Sequence, residues 1–570
     1  MVAFKRILSA ATALTLVCAG ALVAKPKPNI TGLVTIDGKP AAGVLVSDGN
    51  EIVKTDKKGS FGIVSDKKEG SVFVILPSGT EVEHDCGMPA FWKRLSCPVD
   101  EKESHDFALR SVDNSRHAVL FLTDLHIANN FDDIHQMRNI LMRRVRSEVE
   151  RYRSEGIPVY CFNGGDSSYD RYWYEYLYTI ADFPATLKDM DFPVPMFCVM
   201  GNHDNDPGVG QEGDVDFRAA EAYRRAMGPT RFSANIGGIH YIFLDNVMYL
   251  NEEGRVDTYE GVTGRRNYKN GIREDEWKWL EKDLAQVSDK TTPVVVTMHS
   301  PVLCYKSGVS ASKIEGRLVN LQGEDTTDSF AALFKDFPTV HFLTGHTHKN
   351  LPCYGNIGET DYKNISNIVE HNVVSASGCW WQTGSRANSL SLAPDGGPAG
   401  FETFVADKGE LKWYFVSNDD GPEVQFRVFD MNSVREYYRT NGEARVFTHH
   451  YPERENYADI DDNWIYIQVW AWEPGWKISV IENGVSLPAK ACKLENPQFS
   501  LSYYGAKAGW EDNNPARWPQ KYGKRGPNPH FFKVRASGAE TSVTVTVTDT
   551  FGKEYTQIVE RPKPFSKTMR

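Results

Sequence analysis

The 570-residue chain has few cysteines for its length, nine in all, and they form no C-x-x-C pair and no finger-like spacing, which argues against a zinc framework. Cys86 and Cys97 are close enough for a short-loop disulfide in an oxidising compartment, whereas Cys161 and Cys198 stand in apolar, strand-like runs and read as buried thiols. Positive charge is in deficit: 64 Lys and Arg face 75 Asp and Glu, a formal net charge of -11, which repels a polyanion and disfavours nucleic acid as substrate or partner. Beyond the N-terminal segment no long apolar run occurs, so no transmembrane segment is expected in the mature chain. With 41% hydrophobic and 24% charged residues the chain is neither disordered nor membrane-embedded.

The first residues do carry an apolar run, Ile7 to Val23, behind Lys5 and Arg6, with the small residues Ala19 and Ala21 near its end. This predicts a signal peptide over residues 1–24 and an exported, periplasmic or secreted protein. A membrane anchor is disfavoured because the run barely reaches spanning length and contains Ser9, Thr12 and Thr15. Lipid anchoring at Cys18 is disfavoured by Val17, where a small residue is expected.

A single core rarely grows past roughly 250 to 300 residues, so several domains are expected. Over residues 25–110 short alternating segments separated by Asp37-Gly38, Asp48-Gly49 and Gly59 predict a small β-sandwich. Its run Gly32 to Val44, followed by Thr55-Asp56 and Gly59-Ser-Phe61, resembles the transthyretin-like sandwiches that accompany secreted hydrolases. Over residues 111–430 apolar strands alternate with amphipathic helices: strands at His117–Thr123, Val159–Phe162, Met196–Met200, His240–Leu244, Val294–Met298 and Val340–Thr344, helices at Ile134–Tyr152, Glu274–Ala285 and Ser329–Phe334. This is an α/β pattern, a layered core with a mainly parallel or mixed sheet flanked by helices. Past residue 401 the helical pattern fades, and residues 431–570 read as a second β-sandwich, best seen in the period-two run Thr541–Thr550. The fold class is therefore α/β with all-β domains on both sides.

Five segments end apolar strands with metal-ligand side chains: Asp124-Leu-His126, Gly165-Asp166, Gly201-Asn-His-Asp204, His299 and Gly345-His-Thr-His348. Any one alone reads as an ordinary turn; five in order, each where open α/β sheets carry their sites, do not. The ordered set resembles the blocks of the calcineurin-like metallophosphoesterases, and Trp277-Lys-Trp-Leu-Glu-Lys-Asp-Leu284 resembles the helix that family carries before its lone histidine. The resemblance spans about residues 116–429. It implies a layered mixed β-sandwich with helices outside and hydrolysis of a phosphomonoester or phosphodiester by a hydroxide bridging two divalent cations, Mn, Fe or Zn. It further implies that Asp124, His126, Asp166 and His348 hold one cation and Asp166, Asn202, His299 and His346 the other, with His203 protonating the leaving oxygen and Asp204 orienting its ring. The expected substrate is a small-molecule, glycan or lipid phosphate ester.

Two alternatives follow from particular residues. Tyr169 stands three positions after Asp166, where purple acid phosphatases carry a tyrosinate ligand to iron, yet those enzymes lack a histidine equivalent to His126. A surface binding protein with a structural metal site would not require His203 and Asp204. A protein phosphatase is disfavoured because no Asp-Arg-Gly continuation follows Asp166 and Asp204 replaces a glutamate. Tyr169, Tyr172, Trp173, Tyr174 and Tyr176 read as helix and core, Trp380 and Trp381 as loop tryptophans able to stack on a sugar or base, and residues 205–216 and 259–271, with Arg265, Arg266 and Lys269, as a substrate-selecting rim.

Overall fold

The computed structural model describes residues 27–210, 212–250, 255–257, 261–263, 268–303, 316–386, 390–507 and 528–569. The signal-like segment with Cys18, Cys304, the rim arginines Arg265 and Arg266, and most of the Pro/Gly/Asn-rich stretch before Pro529 lie outside them.

Two sheets face each other at the centre of the molecule. The first runs Met196–Cys198, Val159–Asn163, Arg116–Leu122, Gly400–Asp407 and Glu410–Ser417; its first three strands are parallel and the last two antiparallel. The second runs Phe232–Ile236, Ile239–Phe243, Val294–Thr297, Val340–Thr344, Ile368–Asn372 and Leu351–Tyr354, with the inner strands parallel. Alternation along Arg116–Leu122 explains the layering. Val119 and Phe121 point into the inter-sheet core with Phe162, Tyr241, Phe243 and Phe342, while Ala118, Leu120 and Leu122 meet the outer helix Met142–Ser154 through Met142, Val145 and Val149. The expected helix over 134–152 forms in three pieces, Asp133–Gln136, a π-turn Met137–Leu141 and Met142–Ser154.

The N-terminal unit packs one sheet of Trp92–Arg94, Ser71–Ile75, Leu45–Ser47 and Ile52–Lys54 near a second built around Ile30–Ile36. Its core is continuous with the inter-sheet core: the Phe91 ring lies 4.7 Å from Phe232 and 5.4 Å from Phe197, and Trp279 Nε1 donates to Ser47 Oγ at 3.0 Å. Cys86 and Cys97 are free thiols. Cys86 follows the short strand His84–Asp85 with its Sγ 3.7 Å from Asp191, whereas Cys97 lies past Trp92–Arg94, so the bridge that their spacing allowed does not form.

The C-terminal unit has two four-stranded sheets, and Val543–Thr548 alternates buried valines with half-buried threonines as its pattern predicts. It is not all-β. Helices Met431–Thr440 and Gly442–His450 follow the strand Phe426–Asp430, capped by Asp430 on the Asn432 N–H and by Asn441 on the Glu443 and Ala444 N–H groups. Met431, Val434 and Tyr438 line the buried face of the first, and Ala444 and Phe447 that of the second. Among the described residues no helix is long and apolar enough to cross a membrane.

Candidate metal centre

The three parallel strands of the first sheet deliver Asp124 and His126, Asp166, and Asn202 to Asp204 from their C-terminal ends; Val294–Thr297 and Val340–Thr344 of the second deliver His299, His346 and His348. All of these loops meet at one shared edge, where open α/β sheets place their chemistry. The glycines of the motifs make the meeting possible. A Cβ on Gly201 would lie 2.2 Å from Asp166 Oδ1, and one on Gly345 would lie 2.4 Å from Asp124 Oδ2.

Two groups of donor atoms share Asp166. In the first, Asp124 Oδ1 is 3.2 Å from His348 Nε2 and 3.6 Å from His126 Nε2, and the two imidazole nitrogens are 3.0 Å apart. In the second, His299 Nε2 is 3.2 Å from Asp166 Oδ2, 2.9 Å from Asn202 Oδ1 and 3.2 Å from His346 Nδ1. Asp166 Oδ2 also stands 3.8 Å from His126 Nε2, while its Oδ1 accepts the His203 backbone N–H at 2.7 Å. One carboxylate oxygen is thus anchored and the other faces both groups.

Whether these side chains suit cations is decided by their remaining hydrogen bonds. Asp124 Oδ2 accepts from Thr123 Oγ1 and the His346 N–H, each at 2.8 Å, while its buried Oδ1 accepts no hydrogen bond and faces only the imidazoles. His299 Nδ1 stands 2.9 Å from the Gly164 carbonyl, which assigns the proton to Nδ1 and leaves the Nε2 lone pair facing inward. Burial pulls His126 down to about 4 and His346 to about 3, so both rings are neutral. Burial opposes charge on Asp124 and Asp166, but the adjacent imidazoles outweigh it and hold both below the ordinary carboxylate range. Burial likewise pulls His299 down, but Asp166 more than reverses this and raises it to about 9, a proton that a cation would displace. Unpartnered carboxylate oxygen, neutral imidazoles and an amide oxygen form a donor set that fits two divalent ions of the Mn, Fe or Zn kind.

The backbone is strained here. Asp124, His126, Asp166, His346 and His348 have φ of 55°, 49°, 52°, 70° and 58°, in the left-handed region that Asp and His enter more readily than bulkier residues. Trp380 and Trp381, at φ 50° and 64°, share it with less tolerance.

One role is corrected. The His203 ring is held by Asp170, not Asp204: Nδ1 of His203 is 2.7 Å from Asp170 Oδ1. Asp204 is buried beneath the loops and accepts from the N–H groups of Ser167, Ser168 and Gly201 and from Ser168 Oγ. Burial and the nearby Asp166 push its carboxyl up to about 7. It ties the Asp166 loop to the Gly201 loop. The tryptophans also divide: Trp381 is fully buried, donating Nε1–H to the Leu125 carbonyl at 2.7 Å, while half-buried Trp380 stands edge-on to His126 and His348. Tyr169 is buried with its ring 5.3 Å from His126 and 4.7 Å from His203. Ser375 and Ser377, which no motif marked, both donate to the Asp124 carbonyl.

Beside His346 opens a cavity of about 430 Å³ lined by Tyr268, Lys269, Asn270 and Arg317. A larger one of about 1070 Å³, around Arg273, Asp214 and Trp277, touches none of the candidate ligands.

An acid phosphatase of Aspergillus ficuum is 22% identical over 233 residues, 37% of this chain and 34% of that protein, so the chain spans about a third of its relative's length. A dimetal phosphatase from Danio rerio aligns over 53% of this chain and 99% of its own, at 11% identity and a TM-score of 0.31. The structure of PhoD aligns over 84% of this chain and 93% of its own, at 11% identity and a TM-score of 0.34. Family models match almost end to end: the N terminal of calcineurin-like phosphoesterase over residues 28–112, calcineurin-like phosphoesterase over 117–350, and the C terminal of calcineurin-like phosphoesterase over 370–555. All five motif segments fall within the central match, and the chain belongs to the calcineurin-like phosphoesterase family.

Proposed function

We propose that the chain is an exported phosphatase or phosphodiesterase acting on a small phosphate ester, and that Asp124, His126, Asp166 and His348 hold one divalent cation while Asp166, Asn202, His299 and His346 hold the second. The observation that carries this reading is Asp166, whose Oδ2 faces donor atoms of both groups while its Oδ1 is fixed by the His203 N–H. When bound, two such cations supply Lewis-acid charge for phosphoryl oxygens and make water acidic enough to attack phosphorus at neutral pH.

The protein's own groups supply the remainder. Asp170 holds Nδ1 of His203, so a proton for the leaving oxygen comes from Nε2. Lys269 and Arg317 in the cavity beside His346 suit an anionic substrate. A panel of phosphomonoesters, phosphodiesters, nucleotides, and sugar and lipid phosphates, assayed with Mn, Fe, Zn or Co returned to chelated enzyme, tests the reading; no hydrolysis of any ester with any metal overturns it. Export is tested by fractionating cells that express the full-length chain.

A second reading, an iron-dependent acid phosphatase of the purple type, is favoured by the burial of Tyr169 against His126 and by the acid-phosphatase relative. Iron-loaded protein would then show a visible tyrosinate charge-transfer band that Tyr169→Phe abolishes. A colourless iron-loaded protein overturns it.

A further inference from the structure

Where the C-terminal unit meets the two central sheets, a second group of ligand-type side chains is buried away from the centre described above. His371, Glu402 and Glu473 are 2%, 6% and 2% exposed, and their donor atoms lie within 4.8 Å of one another. Each comes from a different layer: His371 from Ile368–Asn372 in the second sheet, Glu402 from Gly400–Asp407 in the first, and Glu473 from the segment after Trp464–Val469 in the C-terminal unit.

The hydrogen bonds around them are incomplete in one direction. Glu473 accepts from Trp413 Nε1 at 2.5 Å, Tyr354 OH at 2.8 Å and Thr550 Oγ1 at 3.0 Å, three donors that orient its carboxylate. His371 Nε2 is 3.0 Å from His341 Nδ1. Its other nitrogen, Nδ1, and Glu402 Oε2 face each other across 3.6 Å, and neither has a hydrogen-bond partner. Among the described residues no Lys or Arg forms an ion pair with Glu402 or Glu473. Two buried carboxyl groups without a counter-charge are costly, so something compensates them.

A proton is the simplest compensation, and burial does push both carboxyls up. A proton on Glu402 Oε2, however, would need an acceptor within about 3 Å, and Oε2 has none. A cation needs the opposite: lone pairs that converge without touching. Coordination bonds of about 2.0–2.2 Å put neighbouring nitrogen and oxygen ligands about 3.4 Å apart, close to the separation observed. With His371 Nε2–H donating to His341, the Nδ1 lone pair faces the carboxylates, the usual arrangement of a ligating histidine.

We propose that His371, Glu402 and Glu473 form a third, structural site for a divalent cation of the zinc type, which ties the C-terminal unit to both central sheets. The site is independent of the phosphoesterase reading. Its test is a metal count on full-length protein stripped of metal and dialysed against zinc. Wild type is expected to take up one equivalent more than Glu402→Gln, which keeps wild-type turnover on a small ester but has a lower thermal midpoint in zinc. If Glu402 is instead a neutral acid, glutamine mimics it and the count is the same in both proteins, which overturns the proposal. Should the variant fail to fold, anomalous scattering from zinc-soaked wild-type crystals decides: a peak between His371 and Glu402 is expected, and peaks confined to the Asp166 centre overturn the site while leaving the phosphoesterase reading intact.

Discussion

Asp170 Oδ1 lies 2.7 Å from His203 Nδ1, although 33 residues separate them, because the Asp170 N–H also bonds the His203 carbonyl at 3.1 Å. A carboxylate on Nδ1 fixes the tautomer and orientation of the ring. Asp170→Asn is therefore expected to lower turnover roughly 10-fold to 100-fold with metal content unchanged. His203→Ala is expected to lose roughly 10²-fold to 10⁴-fold. Both losses should be smallest on nitrophenyl esters, whose leaving group needs no proton. Equal losses on nitrophenyl and alkyl esters would show that His203 is not the acid.

Asp166→Asn should lose both cations, because an amide cannot present an anionic oxygen to each group of ligands. Metal analysis after dialysis checks this. Two ions retained at wild-type affinity would remove Asp166 from the bridging role.

The N-terminal unit supplies none of the candidate ligands but shares its core with the catalytic sheets. Phe91→Ala, which empties space between Phe197 and Phe232, should destabilise the protein by about 3–5 kcal/mol. Denaturant unfolding measures the loss. Activity per folded, metal-loaded molecule should stay at the wild-type level, and a fall there would mean that this unit shapes the site. Deleting the whole unit exposes the same core, so a truncation must be compared on folded protein only.

Glu103 gives the stability a pH dependence. Burial works against its ionisation, but Lys67 at 2.7 Å, the Ser96 N–H and His105 outweigh it and hold the carboxyl at about 2 against an ordinary 4.5. A depressed folded-state value stabilises the fold above the unfolded value, and the gain is lost as pH falls from about 4.5 toward 2. In urea titrations the wild type should lead Glu103→Gln at pH 7 and the gap should shrink steadily below pH 4.5. A gap independent of pH would assign the effect to packing.

The parts of this molecule that could be read in advance are those where chemistry follows directly on a buried strand. His346 and His348 follow Val340–Thr344 and His299 follows Val294–Thr297; a parallel strand covered on both faces is mostly apolar, so its polar successor stands out. Asp170 was hidden for the converse reason. It follows Ser167-Ser-Tyr169 in a turn outside the five motif segments, and the family resemblance gives Asp204 the role of partner to His203 instead. Trp381 looked exposed because it stands in a Gly-containing loop, yet the left-handed bend at Trp380 and Trp381 carries its indole under the Asp124 loop. The pairing of Gly400–Asp407 with Arg116–Leu122 joins segments nearly 300 residues apart, and no local pattern announces such a contact.

Half of the centre stands on each of two separate sheets, and the phenylalanine layer of Phe162, Phe197 and Phe243 sets the distance between them. Metal affinity is therefore a gauge of sheet alignment. A core substitution that slides one sheet by a fraction of an ångström would leave circular dichroism and cooperative unfolding untouched and yet detune the two ligand groups against each other. Variants far from any ligand can be sorted by how tightly the protein keeps its cations.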